Sequence, residues 1–133
     1  MWRGGIGIDQ HVAAARAVIA NPEIDIVIEL IGGYGIAKAL VMEAIEAGKH
    51  VVTANKALLA YKGPELFDLA EKENRLLLFE AAVGGGIPII QAMKTGVCST
   101  RVSSIYGILN GTANYILTRM EHAQLDFQTA LKE

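Results

Sequence analysis

Three short runs of branched apolar residues, separated by two helix-patterned stretches, constrain this chain more than any other feature. The runs are Ile24 to Ile31, His50 to Thr53 and Arg75 to Phe79. The first carries Ile24, Ile26, Val27, Ile28, Leu30 and Ile31, a near-continuous set expected of a strand buried on both faces of a parallel sheet. The third carries Leu76, Leu77, Leu78 and Phe79 and predicts another buried strand. Between the first two, Ile36 to Ala47 places Ala37, Leu40, Val41, Ala44 and Ile45 on one helical face, and Gly48 supplies the stop. Between the second and third, Asn55 is placed to cap a short helical turn over Lys56 to Tyr61. Gly63-Pro64 then opens a separate helix with Leu66, Phe67 and Ala70 on its apolar face, widened by Leu69. The order strand, helix, strand, helix, strand with short connections predicts two consecutive βαβ units. That is an α/β fold, one mononucleotide-binding half of a Rossmann-type doubly wound parallel sheet.

The flanks are less regular. Gly4 to Asp9 reads as loop, and Gln10 to Ala20 as a helix capped by Asp9 and ended by Asn21-Pro22. After Phe79, Glu80 to Val83 leads into Gly84-Gly85-Gly86, whose glycines allow backbone conformations closed to other residues. Pro88 to Lys94 predicts a helix and Arg101 to Leu109 a further strand. A helix is expected from Asn110-Gly111-Thr112 through Met120, capped by Asn110 or Thr112, and a last one from Phe127 capped by Asp126.

Composition narrows the function classes. The 133 residues carry a net charge of −2, which gives no basic face for nucleic acid. The apolar runs fall short of the ~18 residues of a membrane span. The N-terminus has no secretory apolar core, and the single Cys98 cannot form an internal disulfide, so the expected compartment is the cytoplasm. No nucleic-acid or membrane partner is expected.

Open α/β sheets bind ligands at the C-terminal ends of their strands, so the chemistry-bearing residues are sought there. Val51-Val52-Thr53-Ala54-Asn55-Lys56 turns from apolar to polar at such an end. Lys56 alone would be a solvated surface lysine; at the ligand edge it could hold an anionic group or polarise a carbonyl. Gly32-Gly33 is either an ordinary turn or a point of close backbone approach to a cofactor. Glu80 is either a strand-end carboxylate or a cation ligand, beside a loop whose carbonyls also suit hard cations. Asn110 to Asn114 is either a helix cap or a carboxylate-binding helix start. His11, His50 and His122 lack ligand spacing and read as structural or exposed. Gly5-Ile6-Gly7 is not a phosphate-binding fingerprint, because Gln10 stands where the third glycine belongs and no strand precedes it.

Four blocks in order resemble homoserine dehydrogenase. They are Asp25 to Gly33, Val51 to Ala60, Phe79 to Ile90 and Gly107 to Leu117, and the resemblance covers roughly Pro22 to the end. It implies an enzyme reducing aspartate 4-semialdehyde to homoserine with NADPH or NADH, in a family with a Rossmann cofactor domain and an α/β catalytic domain that dimerises. Residues 1–83 would form the C-terminal half, the second mononucleotide half, of the Rossmann cofactor domain, and 84–133 would start an α+β catalytic and dimerisation domain. The resemblance places Lys56 beside nicotinamide and substrate as the catalytic candidate. Gly32, Gly33, Thr53 and Ala54 would lie along the cofactor. Glu80, Val83, Gly85 and Ile87 would hold a sodium ion, mainly through carbonyl oxygens, and Gly111 and Thr112 would meet the substrate.

The chain departs from the family in two places. The N-terminal glycine fingerprint is absent, and so is the Gly-Tyr-x-Glu-x-Asp-Pro stretch with the aspartate and lysine that follow it. The chain therefore resembles only a middle segment and is expected to have little or no activity alone. The rival reading is a non-catalytic nucleotide-binding or interaction module built on the same fold. Another aldehyde-reducing dehydrogenase is disfavoured by the Asn110-Gly111-Thr112 block.

Overall fold

The computed structural model describes residues 8–107 and 110–133. Gly5-Ile6-Gly7, most of the loop expected over Gly4 to Asp9, and the end of the strand expected over Arg101 to Leu109 lie outside these residues. The chain divides into two compact units between Ile90 and Gln91.

The first unit is built on a parallel sheet of β1 (Ile26–Glu29), β2 (His50–Thr53) and β3 (Leu77–Leu78), in that order. Register aligns Val27, Val51 and Leu77 in one row, with Ile28, Val52 and Leu78 in the next. Neighbouring rows point to opposite faces of the sheet. Helices α2 (Ile36–Glu46) and α3 (Lys56–Lys72) are the two crossovers. Because the strand order advances in one direction, the handedness rule puts both crossovers on the same face. There Ala37, Leu40, Val41, Ala44 and Ile45 of α2 are buried with Val51, Leu77 and, from α3, Leu58, Leu66 and Ala70. Helix α1 (Ile8–Ala20) adds Ile19 to this core, and Arg16 clasps Glu43 of α2 through two hydrogen bonds of 2.8 and 2.9 Å. Asp9 lies inside α1 rather than capping it.

The predicted stripe of α2 and the bounds of β2 match the structure. Three other expectations for the sheet and its crossovers do not. The strands are not buried on both faces: Ile28 is 66% exposed and Leu78 48%, because among the described residues of this unit no element covers the face opposite the helices. β1 is also shorter than Ile24 to Ile31. Beyond Glu29 the amides of Ile31 and Gly32 turn to the Glu29 side chain instead of a neighbouring strand, leaving Leu30 and Ile31 exposed. β3 shrinks for a similar reason, since the Leu76 N–H donates to His50 Nδ1 at 2.9 Å.

The third difference is α3, a single helix running through Gly63 and Pro64 where two were expected. Proline inside a helix costs about 3 kcal/mol through its lost N–H and its clash with the preceding turn. Leu58 before it and Leu66 after it are both fully buried on the same core. Each contributes on the order of 2 kcal/mol. Their sum exceeds the proline penalty, so continuity wins.

After β3 a single tight turn, Glu80–Ala82, precedes the glycine loop, where Gly84 and Gly86 adopt φ of +64° and +81°. The helix expected over Pro88 to Lys94 is a short α4 (Ile89–Gln91) widening into a π-turn over Ala92–Gly96. In the second unit, α5 (Gly111–His122) and α6 (Phe127–Lys132) bury Ile116 and Ala130. Arg119 grips the C-terminal Glu133 side chain with two hydrogen bonds of 2.5 and 2.8 Å. Residues 101–107 form no strand and are exposed. A strand needs a partner for its backbone groups, and among the described residues none runs beside this segment. No helix among the described residues is long and apolar enough to cross a membrane.

Candidate functional site

The C-terminal ends of β1 and β2 are organised by a buried carboxylate. Glu29, the last residue of β1, is 4% exposed. Its Oε1 accepts from the Ile31 N–H at 2.7 Å, the Gly32 N–H at 3.2 Å and Asn55 Nδ2 at 3.3 Å. Its Oε2 accepts from the Thr53 hydroxyl at 2.6 Å. Thr53 is its register partner on β2 and is fully buried. Among the described residues no lysine, arginine or histidine pairs with Glu29.

Asn55 links this carboxylate to the next two elements. Its Oδ1 caps α3 by accepting from the Leu58 N–H at 3.0 Å, as the sequence predicts. Its Nδ2 donates to the Gly33 carbonyl at 2.6 Å. Thr53 Oγ1 also accepts from the Asn55 N–H at 3.0 Å. The Gly32-Gly33 turn is thereby tied to the start of α3. Both glycines take positive φ, +82° and +67°, which a side chain would strain, and both are exposed with open space where a Cβ would project.

Lys56 is the first residue of α3 and is exposed. The first turn of this helix carries no acidic residue. A lysine there adds its charge to the positive end of the helix dipole, a placement that favours an anionic ligand. Gly32, Gly33, Thr53, Ala54 and Lys56 are thus brought together at one sheet edge. Within that group the Thr53 side chain is fully engaged inside the protein, while the turn and Lys56 face outward.

Glu80 follows β3 at the same edge of the sheet, and its Oε1 accepts from the Ile90 N–H at 2.9 Å. The Ile87 N–H donates to the Gly84 carbonyl at 2.9 Å, folding Val83, Gly85 and Ile87 into one tight loop. The oxygen donors this loop offers are hard, as a sodium ion requires. Among the described residues no three His, Cys, Asp or Glu side chains cluster as metal ligands. Gly111 and Thr112 form the exposed first turn of α5, behind the Asn110 cap, whose Oδ1 accepts from the Ala113 N–H at 2.8 Å. Cys98 is exposed, and His50 has the structural role expected of it. An apolar hollow of about 250 Å³ lies beside α1, β1 and α2, against Ala15, Ile19, Val27 and Leu40, and is not lined by Lys56 or the glycine turn.

The chain matches the family model described as homoserine dehydrogenase, NAD binding domain, over residues 5–80, and the model described as homoserine dehydrogenase over residues 88–133. It belongs to the homoserine dehydrogenase family. It is 54% identical over 116 residues to homoserine dehydrogenase of Neisseria gonorrhoeae, a match covering 87% of this chain and 27% of that protein. The Pseudomonas aeruginosa enzyme is 52% identical over the same shares. The crystal structure of a homoserine dehydrogenase from Thiobacillus denitrificans superposes with a TM-score of 0.83 at 46% identity, over 95% of this chain and 31% of that one. The chain therefore spans about a quarter to a third of the relatives it matches. Its first unit has the Rossmann-like fold of this oxidoreductase family, whose cofactor is a nicotinamide nucleotide.

Glu29 and the second role of Asn55 escape a reading of strand and helix patterns. The available signal was the single charged residue at the C-terminal end of an otherwise apolar strand.

Proposed function

We propose that this chain supplies the nicotinamide-facing edge of an enzyme that reduces aspartate 4-semialdehyde to homoserine. The observation that carries the reading is the Asn55 bridge, which brings the Gly32-Gly33 turn to the helix start bearing Lys56. The cofactor, NADPH or NADH, supplies hydride when bound. The exposed glycine turn admits its flat ring close to the backbone. Lys56 holds positive charge at the reacting carbonyl or at a substrate anion, and Ala54 lines the approach. Thr53 acts from inside, by fixing Glu29 and the Asn55 amide. Gly111 and Thr112 offer helix-start amides to the substrate carboxylate. Glu80, with the carbonyls of Val83, Gly85 and Ile87, would hold a sodium ion, and the second unit would begin the part of the enzyme that completes the substrate site and the homodimer.

The isolated chain is expected to turn over little or no aspartate semialdehyde. Titration of NADPH into the chain, followed by calorimetry and by amide NMR shifts, tests the reading. Binding weakened at least tenfold by Lys56→Ala supports it. An absence of binding, or binding indifferent to Lys56, overturns it in favour of a module without cofactor chemistry.

A further inference from the structure

We propose that Glu29 is a positioning residue for the Lys56 edge, acting through the charge of its buried carboxylate. Its relevance to cofactor rests on the reading above; its effect on the loop does not. Four donors from three places in the chain converge on this side chain: the backbone at Ile31 and Gly32, the hydroxyl of Thr53 and the amide of Asn55. Each ties down a piece of the edge. The two backbone amides set the conformation of the turn after β1. Thr53 sets the end of β2, where its oxygen also receives the Asn55 N–H. Asn55 then joins the turn, through the Gly33 carbonyl, to the first turn of α3. Lys56 is the next residue along, so its backbone position follows from that of Asn55.

A simple core role does not explain a carboxylate here. Burying an ionised group is costly unless hydrogen bonds compensate, and an apolar residue would avoid the cost. Only a carboxylate presents two acceptor oxygens and no hydrogen to these four donors. A glutamine has the same shape but turns one NH₂ toward a donor. Facing Thr53, it forces the hydroxyl to accept and orphans its hydrogen; facing the turn, it opposes three donors. The charge, not the volume, is what the arrangement uses.

The test uses the full chain and its Glu29→Gln variant. Amide hydrogen exchange gives the first readout. Protection at Ile31, Gly32 and Leu58 is expected to fall at least tenfold in the variant, while protection at Val41 and Val51 in the core stays within about twofold. NADPH titration gives the second, with at least tenfold weaker binding expected, read at the Gly32 and Gly33 amides. A uniform loss of protection, or none, overturns the positioning role. Absence of NADPH binding to the parent chain overturns the cofactor reading alone and leaves the exchange result decisive for the loop. Lys56→Ala is expected to weaken NADPH without altering exchange. Should Glu29→Gln fail to fold, Asn55→Ser replaces it. A serine still caps α3 but cannot reach the Gly33 carbonyl, so protection is expected to fall at the turn and persist at Leu58. Equal protection at both places in that variant overturns the proposal.

Discussion

Thr53 Oγ1 donates to Glu29 Oε2 at 2.6 Å, between register partners on adjacent parallel strands. The hydroxyl is the one group through which β2 satisfies a carboxylate buried at the end of β1. Thr53→Val keeps the shape and the β-branch but leaves that oxygen without its donor and the Asn55 N–H without its acceptor. An orphaned buried polar group costs on the order of 1–3 kcal/mol, and the charge on Glu29 places this loss at the upper end. Urea unfolding is expected to show Thr53→Val destabilised by about 2–3 kcal/mol and Thr53→Ser by less than half of that. Equal stabilities would mean that the bond contributes nothing.

Pro64 sits inside α3 because burial on both sides of it outweighs its cost. Pro64→Ala returns an N–H to the Ala60 carbonyl and relieves the clash, at the expense of a looser unfolded chain. Since Pro64 is exposed, no packing is lost. The expected result is a gain of about 1–2 kcal/mol in thermal unfolding. A loss of stability would show that the helix depends on the proline itself.

Much of this was legible in the sequence, and the failures share a cause. The α2 stripe, the β2 bounds and the caps Asn55, Asn110 and Asp126 depend on local spacing and local hydrogen bonds, which a sequence displays directly. Pro64 misleads a local reading because its penalty is overridden by Leu58 and Leu66 meeting a distant core. Residues 101–107 have strand-like composition, but pairing needs a partner that composition cannot supply. The apolar runs announce strands but also predict burial on both faces, whereas Ile28 and Leu78 stand exposed. Glu29 is not legible locally because its partners, Thr53 and Asn55, lie more than twenty residues away.

The exposed apolar residues of the sheet have a measurable consequence. Ile26, Ile28 and Leu78 stand exposed, around a half-buried Val52. A contiguous apolar face of this kind drives self-association. Sedimentation velocity is expected to show concentration-dependent association of the chain. The double variant Ile28→Thr with Leu78→Thr, which keeps β-propensity at exposed positions, is expected to reduce association with less than about 1 kcal/mol of lost stability. Unchanged association would locate the sticky surface elsewhere.

The last helix carries its own acid sensitivity. Asp126 Oδ2 accepts from the Thr129 hydroxyl at 2.6 Å, and Oδ1 accepts from the N–H groups of Gln128 and Thr129 at 2.9 and 3.1 Å. The Thr129 hydroxyl first, then the backbone donors, favour the ionised form and hold this carboxyl below the usual aspartate value. A depressed folded value means that the cap's contribution is complete above the unfolded pKa, near 3.9, and is lost as pH falls through the folded one. The Thr129 amide resonance is therefore expected to titrate below the ordinary aspartate value. Asp126→Asn retains an acceptor for the cap and is expected to remove that titration while keeping α6 helical. Asp126→Ala is expected to lose the α6 helical signal at every pH. A Thr129 amide titrating at or above the ordinary aspartate value would show that the cap does not favour the carboxylate.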